Sequence, residues 1–473
     1  MRKLILIVCI LVLIPFSGKS QNLISAEYIG TTTSYYLAIA TGLPVEYDVS
    51  LYKMVYATTD VNGDSSLASG AFIKPNTTEC TDFPIAVYQH GTVLNKEDVP
   101  SRDNGEAILP KVLASGGYYA ISPDYIGLGD SPGLHPYVHA ETEATAAIDM
   151  MRAARQFIND SLNAQDNGEV FITGYSQGGH GAMALHKYIE DNDMLDEFNV
   201  IASAPASGPY ALSESQMDLI LSNEPYSNPG YLVYVLSAYE LAYGNIYDTY
   251  SDALQQPYDT VVVPYFDGNN TTYSMGDLNP LLPQQVQDLF TEDYYTALEE
   301  NEDHPFRIAL EDNDNYNWVP ERPITMYYCT LDEQVTYENA LTALDYMTEN
   351  GAENVEAVNI GPYTHGGCVL PALTQVFNLF QSLKTPCTID GIEESVMITK
   401  LYPNPTQSQL TVQLSVSAER FELINEMGQV VMSEKLNYQN ILNLDLSNFR
   451  NGVYFLRVFD GYKIYTSKSI LKL

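Results

Sequence analysis

A β-branched and aromatic run, Glu169-Val-Phe-Ile-Thr173, leads directly into Gly174-Tyr-Ser-Gln-Gly178, and the residues that follow, Gly179 to Tyr188, read as a helix. Strand, tight turn and helix in this order constrain the chain more than any other stretch. Ser176 sits at the apex of a turn that side chains resist. Glycines at 174 and 178 remove the steric obstacle, and the serine hydroxyl is left pointing out of a sheet. An α/β architecture with a mostly parallel central sheet is the expected context.

A serine hydroxyl is a poor nucleophile until a base takes its proton and a third group orients the base. On a strand–turn–helix scaffold the expected chain order is Ser, then Asp or Glu, then His. Six of the seven histidines, at 90, 135, 139, 180, 186 and 304, precede any plausible acid-bearing strand, whereas His365 follows one. It lies in Gly361-Pro-Tyr-Thr-His-Gly-Gly367, a glycine-flanked loop after the strand-like Val355-Glu-Ala-Val-Asn-Ile360. The strand Pro323 to Leu331 closes on Asp332, ahead of a helical pattern from Tyr337 to Tyr346. Asp332 is the expected orienter, with Glu333 as competitor and helix capping as its structural alternative. Two N–H donors must hold the developing oxyanion. One is the amide of Gln177; the other is assigned to Gly91 or Thr92, after the strand Pro84-Ile-Ala-Val-Tyr-Gln-His-Gly-Thr92. His90 then reads as a structural loop residue. No metal or cofactor is called for.

Two further stretches complete the expected sheet. Tyr118 to Tyr125 is a strand, and in the Ile126–Gly133 stretch after it the third glycine is misplaced for a dinucleotide loop and no helix opens at once. From Glu141 to Phe157, residues Ala144, Ala147, Ile148, Met151, Ala154 and Phe157 share one helical face, which should pack under the serine turn.

The 473-residue chain opens with Arg2, Lys3, an apolar run and small residues at 18 and 20, the pattern of a secretory signal peptide over 1–20 cleaved near Ser20/Gln21. An uncleaved anchor is disfavoured because the run is short for a membrane span. Removal of Cys9 leaves Cys80, Cys329, Cys368 and Cys387, an even set for an oxidising compartment. Cys368–Cys387, closing a short loop, and therefore Cys80–Cys329 are the expected pairs. A net charge of −38 argues against nucleic acid or an anionic membrane as partner. The acid excess stops near residue 395: from 396 to 473 there are eight Lys/Arg and six Asp/Glu, in short alternating strands typical of a small β-sandwich.

Two resemblances follow from these residues. Pro123-Asp-Tyr-Ile-Gly-Leu-Gly-Asp-Ser-Pro-Gly-Leu-His-Pro-Tyr137, Ala147-Ile-Asp-Met-Met-Arg-Ala-Ala-Arg155 and Gly174-Tyr-Ser-Gln-Gly-Gly179 are similar to the secretory lipase family of α/β-hydrolases, as is the Ala57–Asp64 hairpin turn. That turn is not an EF-hand, since position 71 is Ala where a Glu is required. Leu401-Tyr-Pro-Asn-Pro-Thr406, Leu446 to Leu456 and the final Lys468-Ser-Ile-Leu-Lys-Leu473 resemble the C-terminal sorting domain of the type nine secretion system.

The first resemblance, over about 25–385, implies an α/β-hydrolase domain at 21–390 with a triad of Ser176, Asp332 and His365, ester hydrolysis through an acyl-enzyme, and a cap inserted at about 210–318. The acidic runs at 299–303 and 311–314 read as solvated faces rather than calcium sites. The second resemblance implies a sorting domain at 396–473, outer-membrane secretion machinery as partner, a Gram-negative cell, and a secreted or surface location. A monomer is expected. An acetyl or feruloyl esterase of polysaccharide, a serine peptidase on the same scaffold, and a surface binding protein on an inactive scaffold are the alternatives.

Overall fold

The computed structural model describes residues 22–222, 224–387, 398–425, 429–460 and 463–473. The signal sequence expected at 1–20, and the boundary expected near 395, lie outside them. The chain divides into two compact units, Met1–Cys387 and Thr388–Leu473.

The first unit follows the alternation read from the sequence. Strands β1 (Leu23–Thr32), β2 (Val49–Thr59), β3 (Ser65–Pro75) and β4 (Ile85–Gln89) are followed by helix α1 (Ile108–Ser115), β5 (Tyr119–Pro123), α2 (Ala140–Leu162), β6 (Glu169–Tyr175), α3 (Gln177–Asp191) and β7 (Asn199–Ala206). A long insertion carries α4 (Pro229–Tyr243) and α5 (Pro305–Asp312) before β8 (Ile324–Cys329), α6 (Glu338–Glu349), β9 (Val355–Gly361) and α7 (His365–Leu383). The nine strands form one sheet in the order β1-β2-β3-β5-β4-β6-β7-β8-β9. From β5 onward in that order the pairing is parallel, while β1, β2 and β3 extend the edge antiparallel.

Strand alternation builds the two layers. On one face of β6, Phe171 meets the rings of Tyr118 and Phe380, under α1 and α7. On the other, Val170 and Ile172 pack with Ala147, Met151 and Leu185 from α2 and α3. All six residues assigned to the apolar face of α2 are buried, and this helix lies against the serine-bearing turn as expected.

The insertion between β7 and β8 folds around its own apolar core, which includes Val233, Leu236 and Tyr239 of α4 together with Leu278, Phe290 and Phe306. It is fastened to the loops at the carboxyl ends of the strands. The Tyr234 hydroxyl donates to the Val93 carbonyl at 3.3 Å, Asn270 Nδ2 to that of Leu94 at 3.2 Å, and the Tyr226 hydroxyl to that of Gln334 at 3.1 Å. The insertion therefore roofs the serine end of the sheet.

The C-terminal unit contains five antiparallel strands, β10 (Ile398–Tyr402), β11 (Gln409–Asn425), β12 (Val430–Asp445), β13 (Gly452–Asp460) and β14 (Lys463–Lys472). The first half of β11 pairs with β10 and its second half with β13. Leu410, Val412, Phe421, Leu423, Leu444 and Leu456 belong to its core.

The disulfides correct the expected pairing. Cys329 joins Cys368 and Cys80 joins Cys387, each with Cα atoms 6.1 Å apart. Cys368–Cys387 is impossible because α7 intervenes: at 1.5 Å rise per residue, the helix holds the two ends roughly 25 Å apart. A short sequence interval is a short spatial interval only when the chain between is not a helix.

Candidate active site

The serine turn is built by close backbone contact. A Cβ on Gly178 would lie 1.9 Å from the Gln89 carbonyl oxygen, and one on Gly174 would lie 2.0 Å from the Gly178 carbonyl oxygen. Both positions therefore require glycine. Ser176 is held at φ 61°, ψ −122°, a conformation that costs a non-glycine residue about 1–3 kcal/mol and persists only where its surroundings impose it. Its N–H is fixed to the Ala206 carbonyl at 3.0 Å, and α3 begins at the next residue.

His365 and Asp332 converge on this apex. The Ser176 hydroxyl lies 2.9 Å from His365 Nε2, and His365 Nδ1 lies 2.7 Å from Asp332 Oδ2. An acceptor carboxylate at Nδ1 places the ring proton there, leaving Nε2 to accept from the serine. Asp332 Oδ1 accepts the N–H groups of Gln334 at 3.1 Å and Val335 at 2.9 Å, so both carboxylate oxygens are committed. Glu333, the competing acid, has a different part: its Oε2 accepts the backbone N–H of His365 at 3.1 Å. His365 was expected in a glycine-flanked loop. It is instead the first residue of α7, because Thr364 Oγ1 accepts the Gly367 N–H and starts the helix one residue earlier.

Cys329 precedes Asp332 by three residues and Cys368 follows His365 by three. Their disulfide thus clamps the end of β8 to the first turn of α7, close to both Asp332 and His365. The Cys329→Ala/Cys368→Ala double variant is expected to lose about 3–4 kcal/mol of stability, from the loop it releases. Urea unfolding beside kcat measurement checks this, with kcat expected to fall as well because the Asp332–His365 spacing loses its restraint.

Gly91 and Thr92 line the same cavity as Ser176 and His365. A Cβ on Gly91 would sit at an ordinary 3.9 Å from that of Ser176, so nearness to the elbow, rather than steric need, marks this loop. Thr92 Oγ1 is paired with the Tyr137 hydroxyl at 2.7 Å. His90 is wholly buried with its ring tilted against that of Tyr125, and its Nδ1 lies 2.7 Å from the Gly91 carbonyl oxygen. Burial pushes its pKa down, in keeping with a neutral structural residue.

Two cavities open on Ser176. One is wide, about 450 Å³, and is bounded by Tyr88, Gly91, Thr92, Glu106, Tyr231 and His365 among others. The other is narrow and apolar, about 50 Å³, with Leu212, Ile220, Val235, Phe306 and Leu310 of the insertion in its walls. Tyr231 of α4 borders both, its hydroxyl donating to Gln334 Oε1 at 3.1 Å.

Behind the turn lies a buried polar cluster that the pattern reading missed. Gln177 Nε2 donates to Glu143 Oε1 at 2.9 Å and to His135 Nε2 at 2.7 Å. His135 Nδ1 donates in turn to the Ile126 carbonyl at 2.8 Å, and burial holds its pKa at about 3, so the ring is neutral. The second oxygen of Glu143 meets His180 Nδ1 at 2.7 Å, and His180 Nε2 donates to the Asn313 carbonyl of the insertion at 2.9 Å. Burial alone would lower the His180 pKa, but the Glu143 carboxylate outweighs it and the pKa is raised. This buried His180–Glu143 pair thus connects α2, α3 and the roof. One signal was available in the sequence: Glu143 lies next to the face of α2 that is otherwise alanine and large apolar residues.

A mixed, mostly parallel sheet with a serine elbow and an inserted roof over its carboxyl edge defines an α/β-hydrolase. Residues 104–188 match the secretory lipase family and residues 400–472 match the secretion system C-terminal sorting domain. The rice cell wall degrading esterase LipA from Xanthomonas oryzae is 30% identical, with 76% of this chain and 96% of that one covered at a TM-score of 0.66. A proposed hydrolase from Legionella pneumophila is 25% identical over 77% and 99% of the two chains, at 0.70. Candida antarctica lipase A, 17% identical at 0.56 over 79% and 84%, shares the fold. A curated ulvan lyase of Nonlabens ulvanivorans is 30% identical over 86 residues, which span only 16% of that protein and 18% of this chain. The chain belongs to the secretory lipase family of α/β-hydrolases and is a secreted or cell-surface ester hydrolase with a type nine sorting domain.

Proposed function

We propose that the protein is a serine carboxylic ester hydrolase working through an acyl-enzyme, as a monomer exported by a Gram-negative cell and without metal or cofactor. The observation that carries this reading is the unbroken chain Ser176–His365–Asp332, with contacts of 2.9 and 2.7 Å. Ser176 attacks the ester carbonyl while His365 takes its proton at Nε2. Asp332 steadies the imidazolium, and the amides of Gln177 and of Gly91 or Thr92 hold the oxyanion. Collapse of the tetrahedral intermediate breaks the ester C–O bond, and His365 returns the proton to the leaving alkoxide. Water then repeats the cycle on the acyl-enzyme.

The acyl group enters the narrow apolar cavity and the alcohol occupies the wide one, with Tyr231 between them. Likeness to a cell wall degrading esterase favours an ester on a wall polymer over a bulk lipid as substrate. A narrow acyl slot favours a short acyl group. The test is a nitrophenyl ester series on the secreted protein, combined with fluorophosphonate labelling. Expected are a kcat/KM maximum at short chains and stoichiometric label on Ser176. Label at another residue, or no ester turnover at any chain length, would overturn the assignment; a maximum at long chains would overturn the substrate reading alone.

A further inference from the structure

The wide cavity contains one carboxylate, and the hydrolytic mechanism leaves it unused. Glu106 sits in the Gly105–Ala107 turn ahead of α1 and lines the cavity together with Ser176, His365 and Thr92. Its backbone N–H is taken by Asn104 Oδ1 at 3.0 Å, but among the described residues its carboxylate has no hydrogen-bond or ion-pair partner. A half-buried carboxylate without a partner is an unfavourable arrangement, and burial pushes its pKa up.

Three neighbouring hydroxyls of this cavity are committed elsewhere. The Tyr175 hydroxyl donates to the His365 carbonyl at 2.6 Å, the Tyr231 hydroxyl to Gln334, and Thr92 Oγ1 is paired with Tyr137. Among the described residues, Glu106 is therefore the unpartnered carboxylate on the side of Ser176 away from the apolar slot. The rings of Tyr88, Tyr175 and Tyr231 line the same space. Aromatic faces beside an unpartnered carboxylate suit a molecule with apolar C–H faces and adjacent hydroxyls.

We propose that Glu106 is a specificity-determining residue that accepts hydroxyl groups of the alcohol half of the substrate, a glycosyl or polyol moiety. This rests on the ester-hydrolase reading of the site. Two neighbouring hydroxyls donate to the two carboxylate oxygens, which orients the acylated oxygen toward Ser176. A charge-assisted hydrogen bond of this kind strengthens both binding and positioning. A cationic alcohol such as choline is the competing occupant. The cavity favours hydroxyls, because it is wide and presents one carboxylate rather than a closed aromatic cage.

The experiment compares kcat/KM for an O-acetylated methyl xyloside, for acetylcholine and for nitrophenyl acetate in the full secreted protein and in its Glu106→Gln and Glu106→Ala variants. The sugar-to-aryl ratio is expected to fall about 10- to 100-fold in Glu106→Ala, with Glu106→Gln between it and the parent. An unchanged ratio overturns the proposal, as does an equal fall on all three esters. A fall confined to acetylcholine overturns it in favour of a cationic alcohol. Absence of any ester turnover in the parent protein would instead remove the ester-hydrolase reading itself, so the two failures are distinguishable.

Discussion

Replacing Ser176 with alanine should lower kcat on a short nitrophenyl ester by on the order of 10⁶-fold while the protein stays folded. The side chain loses one atom, and the strained backbone that carries it is set by Gly174, Gly178 and the Ala206 carbonyl, none of which the substitution touches. Without Oγ no acyl-enzyme forms, and the residual rate comes from the oxyanion donors and from binding. His365→Ala should fall about as far, and the double variant no further, because the two groups act as a unit. Asp332→Asn should cost about 10⁴-fold for a reason visible in the structure. Two backbone N–H groups, from Gln334 and Val335, already point at Oδ1. They require an oxygen there, so the new amide nitrogen is forced toward His365 Nδ1. The ring must then carry its proton on Nε2 and can no longer accept from the serine. Steady-state rates and melting curves for the four variants check this; a Ser176→Ala rate within tenfold of the parent would exclude the mechanism.

The sequence reading succeeded where a residue type has one physical use in one place. Gly174, Gly178 and the alternating Val170, Phe171 and Ile172 determine the turn and both faces of the strand before it, and they could be read directly. The positions of Asp332, three residues past β8, and of His365 beyond β9 follow from the order of elements on a parallel sheet, which leaves few alternatives. What escaped were relations between distant segments. The disulfides join residues 39 and 307 positions apart, and no local pattern records which of three pairings the folded chain brings together. His180 was counted among the histidines too early in the chain to be the base. Its use is to meet Glu143 from one side and Asn313 from the other, 37 and 133 residues away. The insertion was visible as a surplus of length, but its walls depend on how short helices pack, which polar and tyrosine-rich sequence specifies only in three dimensions.

Removing the carboxylate of Glu143 should destabilise the hydrolase unit by about 3–5 kcal/mol, the cost of leaving a buried partner uncompensated. Glu143 and His180 have fully buried side chains, so solvent screens this pair little. Glu143→Ala strips both His180 Nδ1 and Gln177 Nε2 of their carboxylate partner. Glu143→Gln, which keeps the shape and one oxygen, should cost less.

The pH dependence has a definite sign. The folded pKa of His180 is raised, so the stability it contributes is fully present below its unfolded pKa of about 6.5 and is lost as pH rises through the folded value. Asp314, pushed up to about 6 by burial, acts in the same direction at lower pH, and His139, lowered to about 4 by burial, is neutral through this window. Both remain in the variant. The stability difference between the parent and Glu143→Gln should therefore be constant from about pH 5 to 6.5 and shrink above it. Urea unfolding at a series of pH values measures it; a difference that widens with pH would mean that His180 is neutral in the folded protein. Under the proposed mechanism, Gln177 gives the same cluster a catalytic consequence. Its side chain is anchored on Glu143 while its amide heads α3 beside Ser176. Loosening that anchor should lower kcat more than it raises KM, since the amide's hydrogen bond matters most to the oxyanion of the transition state.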